Sequence, residues 1–393
     1  MKKRVLSCLM ALALCLTLLP AAAFANGEPE TSTLHTHYLC GNAEACSYVG
    51  DHNETDKTIF ATAIRQDDNG KVWVGGEPEE LPYQCVLSNG GTYYLDSNLV
   101  LKGPSALNKV GCIYIDSDVT LCLNGHTITI IDDRDAFDIR KSMESDPPTL
   151  TLTDCKNSGQ ITHGTTAGGV KYLGNGVSLH QSCDFIMYGG SITGNTTTGG
   201  ENTTWRSGGV WVRDNSTFTM YGGSITLNTA AKGGGVKVDG GKFNLYGGEI
   251  ADNKAEGQNS LGGGVYVVNG TFTMSGGTIS GNTANSTNGA DGGVGVYNAA
   301  TFNMSGGEIT GNTASSFSGG VGVHNLATFI MSGGTIGGTN SGDANNAKYG
   351  GGVNVGNNGK FNMSGGKISG NKATENGGGV YMDGTFEISG GVQ

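Results

Sequence analysis

The sequence predicts an all-β solenoid, a rod of stacked parallel turns, and three observations carry that prediction. A phrase of the form Phe-x-(Met/Leu/Ile)-x-Gly-Gly-x-Ile recurs eight times, beginning at Phe185, Phe218, Phe243, Phe272, Phe302, Phe329, Phe361 and Phe386. A glycine run followed by Val-x-(Val/Met) precedes nearly every copy, at Val210, Val236, Val265, Val294, Val321, Val353 and Val380. The core phrases keep their internal spacing while the interval from one Phe to the next ranges from 25 to 33 residues. Constant short strands joined by variable loops are units that bury their apolar faces only by stacking on one another.

Each turn offers three strands: Val-x-Val, Phe-x-Met and one around Ile. Side chains alternate along a strand, so the two Val, and the Phe and Met, share one face. That face is the interior, because its apolar identity recurs while the alternate positions hold Thr, Asn, Tyr or Lys. Gly-Gly pairs suit corners that need unusual dihedrals. Three residues after Ile stand Asn195, Asn228, Asn253, Asn282, Asn312 and Asn371, with Thr339 as the exception. Asparagine tolerates a left-handed turn and stacked amides bond between turns. Tyr188, Tyr221 and Tyr246 form an outward ladder that serine replaces from Ser275.

The array starts before its regular copies. Residues 120–128 align without gaps to 217–225, with Ile113-Tyr114-Ile115 eight residues before Leu121 as the Val phrase. A looser turn follows with Phe137-Asp138-Ile139, Leu150-Thr151-Leu152 and Ile161, then one with Val177-Ser178-Leu179, Phe185 and Ile192. About ten turns, roughly 50 Å at about 4.8 Å per turn, are expected from residue 111 onward. The last copy stops in mid-turn at Gln393, which reads as a truncated array whose open end invites end-to-end self-association.

Residues 1–25 read as a secretory signal: Lys2, Lys3 and Arg4, an apolar run from Val5 to Leu19, and Ala23-Phe24-Ala25 before a cleavage point. The apolar run is too short to span a bilayer, and no later segment is apolar enough. Residues 26–90 form a linker and irregular capping segment, and 91–393 the solenoid. Seven cysteines follow the signal, Cys40, Cys46, Cys85, Cys112, Cys122, Cys155 and Cys183, all before the regular repeats. Export permits disulfides. Charged residues are 15% and the net charge is −11, with no basic cluster, which argues against nucleic acid or anionic lipid as a partner.

The phrases Leu-Cys-Leu-Asn-Gly-His-Thr-Ile (121–128), Leu-Thr-Leu-Thr-Asp-Cys (150–155) and Phe-Thr-Met-Ser-Gly-Gly-Thr-Ile (272–279) resemble right-handed parallel β-helix proteins of the pectin-lyase-like superfamily. More narrowly, they resemble repeat-rich, adhesin-like surface proteins of Gram-positive gut bacteria. His35-Thr36-His37-Tyr38-Leu39-Cys40-Gly41 is similar to a leader those proteins carry. The resemblance implies a right-handed coil, and in the enzymes of the superfamily a catalytic groove along one outward strand stack.

Little of that catalytic pattern carries over. The outward columns of the Val strands read Trp211, Lys237, Tyr266, Gly295, Gly322, Asn354, Tyr381 and then Arg213, Asp239, Val268, Tyr297, His324, Gly356, Asp383. Neither sets carboxylates on adjacent turns, and Arg213 with Asp239 reads as an exposed ion pair. Trp205, Arg206, Trp211, Arg213 and Tyr266 are the candidate ligand surface, since indole, phenol and guanidinium groups stack on and bond to sugars. His35, His37, Cys40, Cys46 and His52 are the candidate metal ligands, thiolate and imidazole suiting Zn²⁺. An asparagine column as a ligand site and a nucleotide loop at Gly-Gly-Val-Gly-Val have plainer readings as repeat structure, the Asp-rich nonapeptide of a Ca²⁺ repeat is absent, and no cofactor is expected. The expected function is a secreted or cell-surface, non-catalytic, adhesin-like stalk that binds host or bacterial glycans or surface proteins. A polysaccharide lyase or glycoside hydrolase, and a spacer for a further domain, are the alternatives.

Overall fold

The computed structural model describes residues 35–37, 58–78, 85–87, 90–103, 112–142, 146–198, 206–286, 289–340 and 342–389; the expected signal, residues 1–25, lies outside them. The described regular structure is all strand, coiled as a parallel β-solenoid of about ten turns. Three long sheets run along it. The Val sheet has eleven strands from Cys85–Val86 to Val380–Met382, and the Ile sheet ten from Leu99–Leu101 to Lys367–Ser369. The Phe sheet has fourteen strands, ending at Thr385–Ile388.

Register is set by identical residues lying over one another. Phe218 pairs with Phe185 and Phe243, Ile225 with Ile192 and Ile250, and Val236 with Val210 and Val265. Slipping one strand by a residue would turn its apolar set outward, so the pattern fixes the pairing. Seven stacked ring pairs join Phe185 to Phe386, with centroids 4.6 to 4.9 Å apart. Burial of these rings with the Met, Val and Ile columns makes one continuous core. The corners need glycine: Gly223 has φ +80°, and a Cβ there would meet the Gly190 carbonyl oxygen at 2.6 Å. Outside the core, Tyr188, Tyr221 and Tyr246 stack at 5.0 and 5.1 Å.

Four details differ from the sequence reading. First, turns from Thr229 onward have a fourth strand: Thr229–Ala230, Lys254–Glu256, Thr283–Asn285, Thr313–Ala314, Asn346–Tyr349 and Lys372–Asn376 form a six-stranded sheet. Its strands follow the asparagines of the column from Asn228 to Asn371, and the inward residue is Ala255, Ala284, Ala314 or Ala347, small enough for a narrow edge. Second, Asn345 rather than Thr339 fills the asparagine column, the chain being longer by an insertion ahead of it. Third, Val119 takes the Phe column through Leu150 and Phe185, and Leu121 takes the Met column. The gapless alignment is therefore shifted by two residues. Met220 and Ile225 are five residues apart, against seven for Leu121 and Ile128 and nine for Leu152 and Ile161. The early corners are enlarged. Fourth, the Phe sheet reaches back to Thr62–Gln66, which pairs parallel with Gly91–Leu95 and antiparallel with Val72–Val74, itself antiparallel to Glu77–Pro78. This hairpin covers the first strand edge.

Candidate functional site

The outward face of the Val sheet collects the polar chemistry. Its register places Tyr114, Asp138, Ser178, Trp211, Lys237 and Tyr266 in one column. In the earlier turns this column and the next carry a charged network. Arg140 donates through Nε and Nη2 to the two oxygens of the buried Asp138, at 2.9 and 2.7 Å. His180 Nε2 lies 3.6 Å from Asp138 Oδ1, and Arg213 Nη1 donates to His180 Nδ1 at 3.1 Å. Burial pushes the His180 pKa down, so the ring is a neutral bridge between Asp138 and Arg213. The Arg213 guanidinium sits 4.4 Å, and the Lys237 ammonium 5.1 Å, from the Trp211 ring centre.

Asp135 accepts hydrogen bonds from Asn175, through backbone N and Nδ2, and from Ser178 Oγ at 2.8 Å; Arg206 Nη1 reaches it at 3.2 Å. Each of these two carboxylates is thus bracketed by several donors. Asp135 thereby holds Arg206, and Asp138 holds the His180 that Arg213 reaches. The sequence reading passed over Asp135, Asp138 and His180, although extending the outward columns two turns back from Trp211 would have found the last two.

Of the candidate ligand residues, Trp211 and Arg213 are brought together, Arg206 is tied to Asp135, and Trp205 lies outside the described residues. Tyr266 is buried at 5% exposure in a small cluster with Leu261, Val268 and Tyr297. Arg213 and Asp239 are register neighbours, but the expected ion pair is not made. Arg213 turns to His180, and Asp239 takes Lys237 at 3.3 Å.

Further along the same face is a groove of about 380 Å³, lined by Tyr297, Phe317, His324, Tyr349, Asn354 and Tyr381, with Asn325, Asn357 and Asp383 also lining it. Beside it, Gly295 and Gly322 replace the large residues of the column. The fully buried Asp291 carboxylate lies across them, and a Cβ on Gly322 would come within 2.0 Å of its Oδ1. Asp291 accepts from Tyr297 OH at 2.7 Å and Ser318 Oγ at 2.8 Å, and His324 Nε2 lies 3.4 Å away. Burial raises the Tyr297 pKa well above that of a free phenol, keeping it a donor. His324 stacks on Tyr297 at 4.7 Å and tilts against Phe317 at 5.2 Å; Tyr349 and Tyr381 are 5.3 Å apart. Aromatic faces with amides among them match the apolar face and the hydroxyls of a sugar ring. Gly295 and Gly322 make room for the Asp291 carboxylate that Tyr297 and His324 face.

A third constellation joins the first described strand to the enlarged corners. His35 Nε2 lies 3.4 Å from Cys122 Sγ and 3.6 Å from Cys155 Sγ, and the sulfurs are 3.7 Å apart. The hydrogen bond between the thiols lowers the Cys155 pKa and raises that of Cys122, so Cys122 holds the proton. His37 follows His35 in its strand, while Cys40, Cys46 and His52 lie outside the described residues. Compared with family models, curated proteins and solved structures, the chain matches none.

Proposed function

We propose that this chain is an exported, non-catalytic β-solenoid of the pectin-lyase-like kind that acts as an adhesin-like rod and binds glycans along its Val-sheet face. The observation supporting this most directly is the groove around His324, where five rings and three amides surround one hollow. A neutral saccharide suits it, since Asp383 lines the groove and the chain carries a net charge of −11. Three acids on this face argue against acid–base catalysis at their positions. Asp135 and Asp291 are each bracketed by several donors and Asp138 is held by Arg140, whereas glycoside hydrolysis needs a free pair flanking one bond.

Retention of labelled neutral oligosaccharides by the purified chain is the test, with Tyr349→Ala, Tyr381→Ala and Trp211→Ala as variants. Loss of retention in either tyrosine variant supports binding in the groove. Loss only in Trp211→Ala moves binding to the charged network. Retention of no saccharide favours a spacer. New reducing ends or unsaturated products would replace this reading with an enzyme.

A further inference from the structure

The triangle formed by His35, Cys122 and Cys155 has the dimensions of a metal site. Zinc bonded tetrahedrally to two thiolates at about 2.3 Å and one imidazole at about 2.0 Å sets the sulfurs about 3.8 Å apart and each sulfur about 3.5 Å from the nitrogen. The three observed edges are 3.7, 3.4 and 3.6 Å. A disulfide would need the sulfurs at about 2.05 Å.

Each donor is held by the fold. Cys122 ends the strand Val119–Cys122, between Leu121 and Leu123 of the core, yet it is buried without belonging to that core. It lies beside Tyr94 in register, and His35 stacks on Tyr94 at 4.7 Å with the Phe60 ring edge-on at 5.6 Å. The strand His35–His37 is pinned antiparallel to Thr58–Phe60. Cys155 follows Asp154, whose carboxylate accepts from the backbone N–H groups of Gly125 at 2.7 Å and Gly159 at 2.6 Å, locking the two corners together. The Asn124 backbone N–H points at Cys122 Sγ from 3.3 Å, a contact that suits a thiolate ligand. Three metal-binding donors, one from each of three segments widely separated in sequence, meet here, and among the described residues they form the one such group of three or more.

We propose that His35, Cys122 and Cys155 bind one Zn²⁺ that clips the strand His35–His37 to the outer wall of the solenoid. Soft thiolates with an imidazole select zinc over calcium or magnesium. Three protein donors leave the fourth tetrahedral position to water, and the ion joins a strand from before the coil to two successive turns of it.

The test uses the full chain, purified without added metal, and reads zinc per chain together with free thiols after unfolding in chelator. The expected result is about one zinc per chain in the wild type and in Cys183→Ser, and loss of at least nine-tenths of it in Cys122→Ser/Cys155→Ser and in His35→Ala. Circular dichroism establishes that each variant keeps its β fold. Should a variant fail to fold, wild-type chain stripped by chelator and refilled with Co²⁺ gives the answer: one equivalent with thiolate-to-cobalt absorption supports the site. In the stripped wild type, amide exchange in His35–His37 and Thr58–Phe60 should rise at least tenfold while the Phe sheet stays protected. Zinc retained by the folded double variant, a Cys122–Cys155 disulfide, or free thiols with neither zinc nor cobalt uptake would each overturn the proposal.

Discussion

His163 Nδ1 lies 2.7 Å from Asn195 Oδ1, so a histidine occupies the position from which every later rung receives an asparagine. Its Nε2 lies equally close to the Arg134 carbonyl oxygen. Below it Asn195, Asn228, Asn253, Asn282, Asn312, Asn345 and Asn371 form a ladder, buried but for the last. Asn282 shows the pattern: its backbone N and Nδ2 both donate to Asn312 Oδ1, and Nδ2 also donates to the Ile250 carbonyl.

Asn282→Ala should therefore be costly beyond its size. It strips Asn253 of its acceptor and leaves the Ile250 carbonyl buried without that donor. At about 1–3 kcal/mol for each stranded polar group, a loss of about 3 kcal/mol or more is expected. Denaturant unfolding followed by circular dichroism measures it. A shift under about 1 kcal/mol would show that the ladder is ornamental.

Phe272→Ala removes a ring stacked on both Phe243 and Phe302 in a core with no exposure. The cavity should cost about 3–5 kcal/mol, and Phe272→Leu distinctly less. The same unfolding curves distinguish them.

Gly322→Ala tests the packing behind the groove, where Asp291 lies beside the groove-lining His324. Its Cβ would fall 2.0 Å from Asp291 Oδ1 and 2.8 Å from His324 Nε2. Expelling Asp291 should destabilise the chain by about 1–3 kcal/mol and weaken saccharide retention in parallel. Unchanged retention would place binding elsewhere.

Stability should decline as pH falls below about 6.5. Burial depresses the pKa of both His163 and His180 beneath the ordinary 6.5, so in that range the unfolded chain binds the extra protons. Their contribution is complete above 6.5 and is lost as pH falls toward the folded values. For His180 a proton would also face Arg213 across 3.1 Å. His180→Gln should flatten this part of the curve, as read from melting midpoints between pH 7.5 and 5.

The repeats were legible because identical side chains stack on themselves, and that constraint writes the Phe, Val and Ile columns directly into the sequence. The fourth strand was equally periodic, as Asn-Thr-Ala or Asn-Lys-Ala, but alanine announces no interior by hydropathy. Thr339 misled because an insertion moved the buried amide to Asn345, and spacing alone cannot tell a bulge from a rung. The partners of His35 were hidden for another reason. Cys122 and Cys155 stand 87 and 120 residues away, and only coiling of the chain brings them to it.

All six amide-to-amide bonds of the ladder run the same way, each Nδ2 donating to the Oδ1 of the following turn. Backbone bonds between turns alternate, as Val236 donating forward to Gly264 and Tyr246 donating back to Met220 illustrate, so their moments largely cancel. The side-chain amides do not cancel, and a buried chain of them polarises itself. The solenoid wall thus carries an axial dipole of the kind a helix carries in its backbone, with the negative pole at Asn195 and the positive pole toward Asn371. The imidazole of His163 sits at the negative pole, where a donor is what the field favours.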